Sequence, residues 1–190
     1  APALRLGMRQ IKSLSEADGE AVMVARNSPF ISVESLWRRT GLSASAVESL
    51  ANADAFNSIG LERRKALWEA RALGEAPLPL FAELEETKEP EITLPKASMG
   101  EAVAEDFRSL RLSLKAHPVA LLRDGLHADG YVPCSHQQIM RDGQAIRLAG
   151  MVTTRQRPGT AKGIIFVTLE DETGIANLVV FRDAFERYRR

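Results

Sequence analysis

Cysteine is almost missing from this sequence. Cys134 stands alone, so no disulfide can form within the chain. Three histidines, widely scattered, give a Cys/His metal centre too few ligands at usable spacing. No apolar run reaches the roughly 18 residues of a membrane span, so no membrane partner is expected. The N-terminus has neither an initiating Met nor a basic-then-apolar targeting pattern. A cytoplasmic location is therefore expected, for a chain cut from a longer protein. Net charge is missing too, since 25 basic and 25 acidic side chains cancel. Apolar material is not scarce: 45% of the 190 residues are hydrophobic, enough for one large domain or two small ones and too much for wholesale disorder.

The neutral total hides unlike parts. Residues 1–73 carry a net charge of +2, residues 74–143 a net −5, and residues 144–190 a net +3. Two mildly basic ends around an acidic middle fit two nucleic-acid modules joined by a segment that avoids phosphate. Solvated helix faces would give the same small excesses.

Residues 1–73 read as short helices with frequent start and stop signals. Ser15 can N-cap a helix through Arg26, with Asp18 three residues on. Ser32 can cap residues 33–40, with Val33, Leu36 and Trp37 on one face and Gly41 as the stop. Ser43 can cap the next helix, with Ala46, Val47 and Leu50 inward. Gly60 precedes a fourth, residues 61–73, with Lys65 and Glu69 at i,i+4. Trp37 and Trp68 are expected to anchor this core. Residues 74–99 hold Pro77, Pro79, Pro90 and Pro95 and the acids Glu83, Glu85, Glu86, Glu89 and Glu91, the marks of a linker. Leu78, Leu80 and Phe81 form an apolar island in it, a candidate partner-docking segment. In residues 101–115, Val103, Phe107, Leu110 and Leu114 make one helical stripe. Pro118 starts a short helix with His117 at its entrance, and Ser135 with Gln138 suggests a capping box. From Gln144 the period becomes two: residues 146–153 suggest a first strand, 164–169 a second and 175–181 a third, with a helix from Asp183.

The pattern gives an α+β chain: a tandem helix-hairpin-helix-like region at 1–73, a Pro/Glu-rich linker at 74–99, a helical connector at 100–143, and the first part of an OB-type β-barrel at 144–190. An OB barrel needs two further strands to close, so one sheet edge is expected to be open.

Two bends have the layout of phosphate-binding hairpin turns, in which backbone N–H groups and a following helix N-terminus hold an anion. The first is Ile11-Lys12-Ser13-Leu14-Ser15. Serines replace the usual glycines there; Ser13 and Ser15 could donate hydroxyl hydrogen bonds, and Lys12 adds charge. The second is Phe56-Asn57-Ser58-Ile59-Gly60, ahead of Arg63 and Arg64. Arginine in the first turn of a helix opposes the dipole, which suggests a phosphate contact. The bland reading is two capped turns packing together. In the candidate barrel, the loop 155–163 offers Arg155, Arg157 and Lys162 for a nucleic-acid backbone, Phe166 as a stacking platform or a core residue, and Asn177 for a base edge. Cys134, Ser135 and His136 are adjacent with no orienting acid, so no nucleophile is assigned. No carboxylate cluster suited to catalytic metals is evident; Glu170, Asp171 and Glu172 read as a solvated turn.

The order of these motifs resembles a family. Ile11-Lys12-Ser13-Leu14-Ser15-Glu16, Ala25-Arg26, Pro29-Phe30, Asp54-Ala55-Phe56 and Leu67-Trp68-Glu69-Ala70-Arg71 are similar to the post-catalytic region of bacterial C-family DNA polymerases. So are Leu112-Ser113-Leu114-Lys115-Ala116-His117-Pro118 and the run from Arg155 to Gly163 followed by Leu169-Glu170-Asp171-Glu172-Thr173-Gly174. The wording is closest to the error-prone, damage-inducible paralogues of the replicative polymerase III α subunit. The resemblance implies a parent translesion DNA polymerase whose catalytic aspartates and Mg²⁺ lie upstream of Ala1. It implies hairpins that grip primer–template duplex and an OB part near single-stranded template. It also implies a sliding-clamp peptide where Leu78, Leu80 and Phe81 stand without the family's glutamine, or recruitment by a polymerase-like accessory protein. Two other readings remain: a protein-interaction module acting through Leu78, Leu80 and Phe81, and an anticodon-type, RNA-binding OB domain.

Overall fold

The computed structural model describes residues 6–74 and 94–189. The chain divides into two compact units, Ala1–Ser113 and Leu114–Arg190.

Among its described residues the first unit holds five helices: α1 (Glu16–Ala25), α2 (Val33–Thr40), α3 (Ala44–Asn52), α4 (Arg63–Ala72) and α5 (Met99–Leu110). Their starts follow local chemistry. Ser15, Ser32, Ser43 and Ser98 each accept a backbone N–H from three residues on, and Ser15 and Ser98 complete capping boxes with Asp18 and Glu101. These bonds satisfy donors that a bare helix end leaves unpaired. The stop after α2 is Gly41 in the left-handed conformation, where its N–H donates to the Trp37 carbonyl. One core gathers Val22, Val33, Leu36, Leu42, Val47, Leu50, Phe56, Ala66 and Ala70. Helices of about ten residues are marginal alone, and this shared core stabilises them. Trp37 packs against it, but Trp68 is 50% exposed, a correction to the expectation that both tryptophans anchor the core. Its neighbours Ala66 and Ala70 face inward instead.

The second unit begins with a 3-10 turn at Pro118–Leu122, followed by α6 (Arg123–Ala128) and a 3-10 turn at Cys134–Ile139. His117 stands at the entrance of the first turn, its Nδ1 accepting the Val119 N–H at 3.2 Å. Ser135 does not form the expected capping box; its N–H donates to Thr173 Oγ1 at 3.1 Å, and Pro133 takes the cap position. Then come β1 (Met151–Gln156), β2 (Ile165–Asp171), β3 (Gly174–Val180) and α7 (Arg182–Tyr188). The sheet is antiparallel in the order β1-β2-β3, so β1 and β3 are its outer strands among the described residues, and Gln137 donates to the Ile175 carbonyl of β3 at 2.6 Å. The mixed α+β class, with helices ahead of a partial OB-type sheet, is as read from the sequence.

The first strand starts five residues later than its alternation suggested. Leu148 instead makes a parallel bridge to Val132. Gly150 lies so close to β2 that an added Cβ would sit 2.8 Å from the Glu170 carbonyl oxygen. A register shift between Val152 and Thr154 breaks the alternation again. Residues 112–115 likewise fall outside the helix expected there, because Arg111 adopts a left-handed conformation and ends α5.

Candidate nucleic-acid interface

The first bend is exposed at Lys12, Ser13 and Ser15, but most of its donors are already occupied. The Lys12 N–H donates to the Ser109 carbonyl (2.9 Å) and the Leu14 N–H to the Ile11 carbonyl (3.4 Å). The Ser15 N–H and hydroxyl both donate to Asp18 Oδ2, at 3.0 and 2.6 Å. Those bonds hold the Asp18 carboxyl below its usual range, the hydroxyl acting most strongly. A carboxylate of the chain itself thus occupies the start of α1, where an anion would bind. The hydroxyl contact expected of Ser15 is corrected to a helix cap. Ser13, left-handed at φ 65°, and the Lys12 side chain remain turned to solvent with no protein acceptor among the described residues.

The second bend is more open. Asp54 and Gly60, both left-handed, bracket a 3-10 turn at Ala55–Ile59 whose Phe56 is buried while Asn57, Ser58, Ile59 and Gly60 are exposed. The Gly60 N–H donates to the Asn57 carbonyl (3.0 Å) and the Ser58 hydroxyl to the Ala55 carbonyl (3.2 Å). Glu62 stands at the cap position of α4 without a side-chain cap bond, so the first-turn N–H groups of α4 lack the closure seen at α1.

Arg63 does not face solvent, and the phosphate contact expected of it is corrected. Its side chain is 10% exposed, and its guanidinium is bound to the buried carboxylate of Asp106. It donates to the Ala102 carbonyl at 3.1 Å and lies 3.8 Å from Asp54 Oδ2. Asp106 also accepts the Ser113 hydroxyl at 2.8 Å. The arginine that opposes the α4 dipole therefore ties the hairpin to α5. Arg64 is partly exposed and donates to the Pro95 carbonyl (2.7 Å) and Glu101 (3.1 Å). Sequence reasoning missed this because Asp106 lies 43 positions away and reads as one more helix acid.

In the second unit the pairing register sorts side chains onto two faces of the sheet. Gln156 lies opposite Phe166, which lies opposite Val179; Thr154 lies opposite Thr168, which lies opposite Asn177. Directly paired residues share a face, so these six form one surface. Phe166 is 42% exposed there, not in the core. The Thr168 hydroxyl donates to Asn177 Oδ1 at 2.9 Å, which fixes the amide. The other face carries buried Ile165 and Ala176 and, on β1, Arg155 opposite Val167. Arg157 follows on that side: both guanidiniums lie over the Phe185 ring of α7, at 5.9 Å for Arg155 and 5.5 Å for Arg157. Lys162 is exposed in a left-handed conformation. Among the described residues, no carboxylate accepts a hydrogen bond from Arg155, Arg157 or Lys162.

The turn 170–174 is not a solvated one. Asp171 is buried and receives N–H donors from Cys134 (2.7 Å), Thr173 (2.8 Å) and Gly174 (3.1 Å), the Thr173 hydroxyl (2.6 Å) and Arg123 (2.8 Å). Burial would raise its pKa; the Thr173 and Cys134 donors overcome that and take it down to about 2. Arg123 also binds Glu172 at 2.6 Å. The network fastens the turns around 118–139 to the β2–β3 hairpin, so these turns pack with the sheet whereas α5 belongs to the first unit. Cys134 is fully buried, and burial, with Asp171 beside it, pushes its thiol up to about 11; it is no nucleophile near neutral pH. Among the described residues, no group of three or more His, Cys, Asp or Glu side chains could hold a metal ion. No described helix is long and apolar enough to cross a membrane. Leu78, Leu80 and Phe81 lie outside the described residues.

Helical hairpins followed by an antiparallel sheet with an exposed polar–aromatic face are an architecture that the nucleic-acid-binding class uses. Family models agree with that class: a helix-hairpin-helix motif matches residues 1–66 and an OB-fold nucleic acid binding domain matches residues 146–190. The chain is 46% identical to error-prone DNA polymerase 2 of Agrobacterium fabrum, over 98% of its own length and 18% of the relative's. It is 46% identical to the error-prone DNA polymerases of Sinorhizobium medicae and Ruegeria pomeroyi, over 98% and 99% of its length and 17% of each relative's. The chain belongs to the bacterial error-prone DNA polymerase family, and the family resemblance read from motif order is borne out. It spans less than a fifth of the length of these relatives.

Proposed function

We propose that this chain is the DNA-binding, non-catalytic C-terminal portion of an error-prone, damage-inducible DNA polymerase. The upstream part of that polymerase would supply the catalytic carboxylates and Mg²⁺. In this reading residues 1–73 grip primer–template duplex, with Gly60, Ser58, Arg64 and the uncapped start of α4 as the stronger contact and Lys12, Ser13 and Leu14 as the weaker one. Residues 144–190 meet single-stranded template, the connector and linker lie between, and the linker apolar residues Leu78, Leu80 and Phe81 take a sliding clamp or accessory protein.

The observation that carries the reading is the open face of the sheet. An aromatic ring, Phe166, stands exposed among Thr154, Gln156, Thr168 and Asn177, and among the described residues no carboxylate hydrogen-bonds to Arg155, Arg157 or Lys162. Stacking on aromatics with cations for the backbone is how such barrels hold single strands. The test is a titration of the 190-residue protein with single-stranded and duplex oligonucleotides. Phe166→Ala is expected to weaken single-strand binding by about 1–3 kcal/mol and to leave duplex binding unchanged. Equal single-strand affinity in the variant would reject the sheet-face assignment, and preference for tRNA over DNA would favour an RNA-binding barrel.

A further inference from the structure

The cations of the barrel loop and its aromatic platform are on opposite faces of the β1–β2 pair. Thr154 and Gln156 lie on the side of Phe166; Arg155 lies on the other, and Arg157 joins it over the ring of Phe185. A strand stacked on Phe166 can therefore reach both arginines only by passing round β1. That strand is an outer strand of the sheet, and all six of its residues are exposed.

Two guanidiniums sharing one ring repel each other. The ring quadrupole offsets part of that repulsion, and an anion would offset the rest. Among the described residues, no carboxylate accepts a hydrogen bond from either arginine. Glu186 of α7 accepts instead from Arg182 at 2.8 Å, and that bond is the main cause holding its carboxyl below the usual range. The return of the loop rests on α7 as well: Gly163 sits where a Cβ would touch the Arg182 side chain at 3.5 Å. Planar guanidiniums with free N–H edges suit phosphate oxygens.

We propose that Phe185 is a positioning residue that holds Arg155 and Arg157 as a paired phosphate-binding fork, and that a single DNA strand crosses the open β1 edge between this fork and the Phe166 face. Resting on the single-strand reading above, the inference adds a residue, a binding subsite and a path. Phe185 itself touches no DNA; it acts by gathering the two cations.

The test is a fluorescence-anisotropy titration of the 190-residue protein with oligo-dT across a salt series. Arg155→Ala/Arg157→Ala should lower the slope of log K against log salt by about 1.4, two single-strand contacts at ~0.7 each. Phe185→Leu should weaken binding roughly three- to tenfold, Phe185→Tyr should preserve it, and Phe185→Leu added to the arginine double variant should change nothing further. Phe166→Ala, on the other face, should weaken binding by the same factor in both backgrounds. An unchanged salt slope in the arginine variant would overturn the fork. So would a Phe185→Leu loss that persists undiminished without the arginines, because that is the mark of a general folding defect. If wild type binds and Phe166→Ala weakens it while the arginine variant is silent, the fork alone falls; if wild type binds no single strand, the single-strand reading falls with it.

Discussion

Removing either member of the Arg63–Asp106 pair takes from the other its ion-pair partner at a site where both side chains are almost inaccessible. Arg63→Met is expected to destabilise the helical unit by about 3–5 kcal/mol, and Arg63→Met/Asp106→Leu should lose less than either single change. Urea melts followed by tryptophan fluorescence would check this. Asp171 makes a pH-dependent contribution. Its folded pKa of about 2 lies below the ordinary value of 3.8, so its stabilisation is present above about pH 4 and lost as pH falls through 2. The shift corresponds to roughly 2 kcal/mol. Acid titration of thermal stability should show that loss in wild type and not in Asp171→Asn, whose stability should already be lower at neutral pH. Neither residue's role was legible in the sequence. Arg63 was noticed because it opposes a helix dipole, a sound signal of a special partner, but the partner is a distant carboxylate and not a phosphate. Asp171 sits in a run of acids that reads as solvated, and only folding brings the Cys134 N–H and Arg123 to it.

Serine caps carried most of the legible structure at the level of the element. The three serines nominated as N-caps in the first 50 residues each accept the expected backbone N–H, because capping is a local bond between residues three apart. Ser32→Ala should cost about 1 kcal/mol in the same urea melts. The start of β1 was not legible, since close approach between strands leaves no mark on alternation. Gly150 is where that approach occurs. Gly150→Ala would place a methyl 2.8 Å from the Glu170 carbonyl oxygen and force β1 away from β2; faster amide exchange at Val152 and Thr154 would report it, whereas unchanged exchange would contradict this account. The hairpin expectation divides in the same way. A serine at the first bend brought a capping carboxylate with it, so the feature that replaced glycine also filled the anion position, while the second bend kept its left-handed Gly60 and an uncapped helix start.

For the whole molecule, net charge near zero conceals a division of labour. The net-acidic stretch, residues 74–143, lies between two modules that family models identify as helix-hairpin-helix and OB-fold nucleic acid binding. This division, the α+β class and the family were readable because they depend on order and composition along the chain. The face on which each barrel residue lies was not, because it depends on strand register. Arg155 and Phe166 appeared as one site in the sequence and are separated by the sheet in the fold. The proposed contact with single-stranded DNA rests on Phe166 and on the cations of the barrel module, Arg155, Arg157 and Lys162. Its most direct test is the affinity of the 190-residue protein for oligo-dT as a function of salt. The account predicts that log K falls linearly with log salt, with a slope of about −2 for three backbone cations at ~0.7 each. Binding that is absent, or present and indifferent to salt, would contradict it.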